Sequence, residues 1–153
     1  MVSTTAELLR KLSNAHGVSG SEGGLHAVIR KELKGFVDEI YEDTMGNLIA
    51  VKKGNKFRVM LAAHMDEIGL VVKYIDDKGY IRFAALGGWY GPTLYNQRVV
   101  LHGANGPCYG VIGGKPPHMM DEDERQKGVK TDDMFIDAGA INREELEPLG
   151  ITV

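Results

Sequence analysis

Between Gly69 and Asp133 the sequence carries no helical period. Short apolar runs are separated there by residues that favour turns. "LVVKYI" and "YIRFAAL" flank Asp76-Asp77-Lys78-Gly79, and "QRVVLHG" and "PCYGVIGG" flank Ala104-Asn105-Gly106. Asx side chains bond their own backbone two residues on, and glycine reaches positive φ without a steric cost. Such pairs of runs predict antiparallel hairpins, and so a barrel-like or sandwich-like β region. The polar stretch "MDEDERQKGVKTDD", Met120 to Asp133, reads as a loop, and "MFIDAGA" resumes a strand. Asn142 is expected to cap a short helix over "REELEPLG". Ile151-Thr152-Val153 reads as the opening of a strand with no polar tail, which predicts the front part of a longer polypeptide; a short terminal edge strand is the other reading.

The region before Gly69 has another texture. "STTAELLRKLSNAHG" predicts a helix, with Thr4 and Glu7 at capping-box spacing, Leu8, Leu9 and Leu12 on one face, and Gly17 as its stop. "GVSGSEGG" reads as a loop, from which Ser21 is expected to cap a second helix through Leu33, ended by Gly35. "FVDEIYED" and "LIAVKKG" are predicted strands around a "TMGN" turn. "FRVMLAAH" is expected to be a third strand. Its apolar residues, Val59 to Ala63, do not alternate, as in a strand covered on both faces. The predicted fold class is therefore α/β, with a central strand between helices, followed by a β-rich part.

Composition narrows the function classes. Of 153 residues, 43% are hydrophobic and 25% charged, with a net charge of -3. These values suit a packed, non-disordered chain. A pI near 5.9 gives no basic footprint for nucleic acid or an anionic membrane. A single cysteine, Cys108, cannot close an internal disulfide, which favours a reducing, cytoplasmic setting. The N-terminal stretch lacks a basic region followed by an apolar one, so it is not read as a signal peptide. No apolar run approaches the ~20 residues of a membrane helix.

The chemistry concentrates in "MLAAHMDEIG", Met60 to Gly69, where a core-like segment runs into His64, Asp66 and Glu67. In open α/β sheets, ligands bind at the carboxyl ends of strands. Two residues apart in extended chain, His64 and Asp66 share a side, so the carboxylate is placed to accept the second imidazole N–H of a metal ligand; Glu67 would point away. On residues alone, a hydrogen-bonded histidine at a strand end is the favoured reading over a metal ligand. A catalytic zinc takes about three protein ligands. His16, His26, His102 and His118 have no partner at ligand spacing. The first three are expected on the surface, and His118 in "GGKPPHMM" in a packed loop or interface. No Gly-x-Ser-x-Gly elbow is present, "GVSGSEGG" lacks the lysine of a phosphate loop, Cys108 has no basic neighbour, and no carboxylate pair for glycoside cleavage stands out.

Taken together, "GVSGSE", "DTMGNLIA", "MLAAHMDEIGLVV", "GGW", "QRVVLHG", "GVIGGKPPH" and "FIDAGAINREE" stand in the order seen in the deblocking or glutamyl aminopeptidases. The chain resembles this family of dinuclear-zinc metallopeptidases, which includes the TET particles and proteins labelled cellulase M. The resemblance spans essentially the whole chain. It implies that residues 1–69 are the N-terminal part of an α/β/α catalytic domain and residues 70–153 an inserted β-rich dimerisation domain. It implies a hydrolase that removes N-terminal residues from short peptides, using two divalent metal ions, zinc or cobalt, within a homo-oligomer built from dimers up to a dodecamer. By motif, His64 corresponds to a metal ligand and Asp66 to the catalytic carboxylate behind it. The remaining ligands and the general-base glutamate are expected beyond Val153. Two other readings stand beside it: a truncated, non-catalytic oligomerisation module, and an endoglucanase, which the imidazole–carboxylate pairing disfavours.

Overall fold

The computed structural model describes residues 4–122 and 129–153. The fold is mixed α/β and divides into two compact units, Met1–Glu67 and Ile68–Val153.

In the first unit, helix α1 (Thr5–Ser13) begins on the expected capping box. Thr4 Oγ1 accepts from the Glu7 N–H at 3.3 Å, and Glu7 Oε2 accepts from the Thr4 N–H at 2.8 Å. The Thr4 backbone and hydroxyl donors hold the Glu7 carboxyl below its usual range. The helix closes before Gly17. Asn14 Nδ2 donates to Arg10 O at 2.7 Å, and a short amide that takes last-turn carbonyls ends a helix without glycine. Helix α2 (Gly23–Leu33) starts after Glu22, so Ser21 is not its cap. The Glu22 carboxylate turns back to the Gly20 N–H at 2.8 Å. Gly35, at φ 86°, supplies the left-handed residue that follows the helix end.

Strands β1 (Glu39–Glu42) and β2 (Leu48–Val51) form an antiparallel hairpin, with Glu42 opposite Leu48. Asp43 organises its turn. Oδ1 accepts from the Met45 and Asn47 N–H groups at 2.9 and 2.8 Å, and Oδ2 from Asn47 Nδ2 at 2.8 Å. The Asn47 side chain, then its backbone, hold the Asp43 carboxyl below the usual range. A depressed folded-state pKa contributes stability that is present above the unfolded value and lost as pH falls through the folded one. Protection of the Asn47 amide from hydrogen exchange is therefore expected to fall below about pH 4. Asp43→Ala should remove that pH dependence, leaving the amide poorly protected throughout.

The third strand expected over residues 57–64 does not form, and no central strand lies between helices among the described residues. Val59, Met60 and Leu61 are 70%, 87% and 93% exposed. A strand exists only where a neighbour takes its N–H and C=O groups, and within this unit β1 and β2 pair only with each other.

The second unit is a five-stranded antiparallel sheet in the order β3-β4-β7-β6-β5. Its strands are β3 (Gly69–Ile75), β4 (Ile81–Leu86), β5 (Arg98–Gly103), β6 (Gly106–Gly113) and β7 (Phe135–Asp137). The two hairpins fall where the turn residues put them. Asp76 Oδ1 accepts from the Lys78 and Tyr80 N–H groups at 3.0 and 2.9 Å. The short β7 lies between the hairpins, and its Ile136 sits opposite Ile81 and Ile112; all three are at most 2% exposed. Gly110 allows this contact, since a Cβ there would lie 2.5 Å from Ile136 Cγ2. Edge strand β3 carries a register shift between Val72 and Tyr74, which leaves Lys73 at the irregularity; a bulge and a lysine both discourage edge pairing.

Asn142 caps the expected helix, which is 3₁₀ (Arg143–Leu149); its side chain accepts from the Glu145 N–H at 3.0 Å. The strand opening expected at Ile151 is absent. Gly150, at φ 69°, turns the chain, its carbonyl accepts from the Ala104 N–H at 3.1 Å, and Ile151 is buried in the core. The polar loop Met120–Asp133 is described only outside residues 123–128, with a 3₁₀ turn at Thr131–Asp133. Among the described residues no helix is long and apolar enough to cross a membrane.

Candidate metal-ligand element

His64 lies in irregular chain after the exposed apolar run, and its side chain is 87% exposed. Its Nδ1 sits 3.2 Å from Asp66 Oδ1 and 3.1 Å from Asp66 O. Both Asp66 atoms are acceptors, so the neutral ring is assigned its proton on Nδ1 and its lone pair on Nε2. An imidazole held in this tautomer, with Nε2 exposed, has the donor a divalent metal takes. The fit extends to one ligand. Among the described residues no three His, Cys, Asp or Glu side chains come together as a metal site.

Glu67 does more than point away. Its N–H donates to Gly17 O at 2.8 Å, and its Oε1 accepts from the Gly17 N–H at 3.3 Å, across 50 residues of sequence. Sequence reading missed this link. The available signal was Gly17 itself, which is buried rather than a helix stop: a Cβ there would meet Leu25 Cδ2 at 3.2 Å.

His16 and His102 are exposed, as expected. His26 is not a surface residue: it is 7% exposed, with Nδ1 3.1 Å from Glu42 Oε2 and a buried Nε2 that has no partner among the described residues. Position 26 follows Leu25 on the side of α2 that turns to β1, where Arg30 also reaches Ile40 O at 3.3 Å and Glu42 Oε2 at 3.4 Å. His118 stands exposed on the 3₁₀ turn Pro117–Met119, as does Met119, so these two are not packed in a loop. Burial pushes the Cys108 thiol up, away from nucleophilic use.

Residues 46–153 match the M42 glutamyl aminopeptidase family model. The chain belongs to this family of metallopeptidases. It is 41% identical over 149 residues to the lysyl aminopeptidase of Pyrococcus furiosus, covering 96% of this chain and 43% of that protein. The crystal structure of a TET aminopeptidase from the marine sediment archaeon Thaumarchaeota archaeon SCGC AB-539-E09 is 40% identical, with a TM-score of 0.90 over 97% of this chain and 42% of that one. The TET1 peptidase of Pyrococcus horikoshii, which can assemble into a tetrahedron or a large octahedral shell, is 36% identical, with a TM-score of 0.83 over 95% of this chain and 44% of that one. The chain thus spans less than half the length of these relatives.

Proposed function

We propose that this chain supplies the His64–Asp66 element of a metal-dependent aminopeptidase that removes N-terminal residues from short peptides. The carrying observation is the Nδ1 contact with Asp66 at 3.2 Å, inside the family-matched region. His64 would hold one of two divalent ions, zinc or cobalt, through Nε2. When bound, such ions polarise a scissile carbonyl and lower the pKa of a bound water. Asp66 keeps the imidazole in the ligating tautomer and, by accepting its N–H, raises its basicity. Residues 1–69 belong in this reading to an α/β/α catalytic domain, and residues 70–153 to an inserted β-rich dimerisation domain. The tetrahedral or octahedral assemblies described for the TET1 relative, and the dodecamer described for another solved structure 36% identical to this chain, support a homo-oligomer, up to a dodecamer. The lone Cys108 supports a cytoplasmic setting.

The test is a polypeptide that begins with this sequence and continues to the length of its relatives. It is expected to bind zinc or cobalt and to cleave a panel of aminoacyl chromogenic substrates. Absence of both metal and activity would overturn the proposal. A second reading, a self-associating module without catalysis, draws on the exposed apolar run Val59–Leu61. Light scattering tests it on the 153-residue chain. A well-folded monomer would sink it.

A further inference from the structure

The Asp66–Glu67 peptide unit faces two ways. Its carbonyl, Asp66 O, lies 3.1 Å from His64 Nδ1, and its N–H donates to Gly17 O at 2.8 Å. No peptide bond described in this chain is cis. A trans peptide is planar, with C=O and N–H directed oppositely. Anchoring the N–H therefore aims the carbonyl. A second bond, from the Gly17 N–H to Glu67 Oε1 at 3.3 Å, keeps the unit from turning about the first. Val18 and Glu67 also pair as an isolated parallel bridge. The anchor is itself held: Gly17 is buried against Leu25 of α2, which is 5% exposed, and a Cβ there would meet Leu25 Cδ2 at 3.2 Å, so that Leu25 would have to give way by a few tenths of an ångström. The glycine-rich loop "GVSGSE", which could be taken for an anion cradle, thus spends its first residue on a backbone clamp.

We propose that Glu67 is a positioning residue: by clamping the Asp66–Glu67 peptide to Gly17, it holds His64 in the tautomer that leaves Nε2 open to a metal. The functional meaning rests on the reading of His64 as a ligand in the proposed aminopeptidase; the clamp itself does not. Asp66 alone offers a carboxylate oxygen at 3.2 Å, which exposed chain at His64 would not keep in place. The Asp66 carbonyl is the nearer acceptor, and its direction is set from the far side of the peptide by Gly17.

The tautomer can be read directly from ring ¹⁵N shifts of the metal-free 153-residue chain, at a pH where imidazole is neutral. The native chain is expected to show His64 as the Nδ1–H form. Glu67→Ala is expected to move the tautomer ratio about tenfold toward the Nε2–H form, the scale of losing a hydrogen bond to a charged group. Glu67→Gln should restore the native ratio, because its amide oxygen still accepts from the Gly17 N–H. If Glu67→Ala does not fold, Glu67→Asp, shorter by a methylene, makes the same test with the charge kept. An unchanged ratio in a folded Ala or Asp variant, or a Gln variant as shifted as Ala, would overturn the proposal. These outcomes are independent of catalysis. An inactive full-length polypeptide with a clamped His64 would count against the aminopeptidase reading alone.

Discussion

Gly103→Ala is expected to destabilise the sheet unit by about 3 kcal/mol, at the upper end of ordinary overpacking. A Cβ at this position would lie 2.1 Å from Leu149 O and 2.9 Å from Ile151 Cδ1. The first contact is with backbone, so no rotamer change relieves it. Relief requires the 3₁₀ helix Arg143–Leu149 to retreat from the β5–β6 turn. That movement breaks the bond from the Ala104 N–H to Gly150 O and the one from Asn105 Nδ2 to Pro148 O at 3.0 Å. It also withdraws Leu146, which is 0% exposed, from the core. Urea unfolding followed by a sheet signal measures the loss. The loops of the first unit, residues 4–67, should be spared, so exchange at Asn47 would stay native under conditions where the variant sheet has opened. A stability change below 1 kcal/mol would mean that the helix moves away freely.

The same contrast between local and distant causes explains what could be read from the sequence. The "TMGN" turn, the Asp76 turn and the Asn142 cap were legible because each works on backbone groups within four residues, although the part Asp43 plays in the first was not read. The hairpins and the cap follow from side-chain length and the nearby N–H groups, whatever the rest of the chain does. Strand character over residues 57–64 was not legible in this way. Val59 to Ala63 have the composition of a two-sided buried strand, but composition cannot provide the neighbour that completes a ladder. His26 failed for a related reason. Its place on the helix was clear, but burial depended on Glu42 and Arg30 arriving from β1 and the next turn of α2. In the candidate site, the His64–Asp66 contact was legible from a two-residue spacing. The Glu67–Gly17 clamp was not, because nothing in a single sequence links positions 50 residues apart. A buried glycine beside a leucine is a mark of close approach only once the approaching chain is known.

In a polypeptide that continues this sequence to the length of its relatives, His64→Ala and Asp66→Asn are expected to fail to different degrees. The first deletes a ligand. The second keeps the ligand and changes only what stands behind it. An asparagine can still present an oxygen to the Nδ1–H, but a neutral acceptor makes a weaker bond than a carboxylate. It also withdraws the negative charge that raises the basicity of Nε2. Losing such an outer partner costs about 10- to 100-fold in metal affinity or activity. Asp66→Asn should therefore bind metal about 10- to 100-fold more weakly in competition with a chelator, and added zinc or cobalt should recover part of its activity. His64→Ala should lose activity that added metal does not recover. The Asp66 backbone carbonyl, 3.1 Å from Nδ1, survives the asparagine substitution and continues to favour the Nδ1–H form. The two acceptors separate at this point: if the carbonyl sets the tautomer and the carboxylate sets the charge, Asp66→Asn keeps its ring ¹⁵N pattern while losing affinity. Equal, metal-independent inactivation of both variants would instead make Asp66 a ligand or a reacting group in its own right.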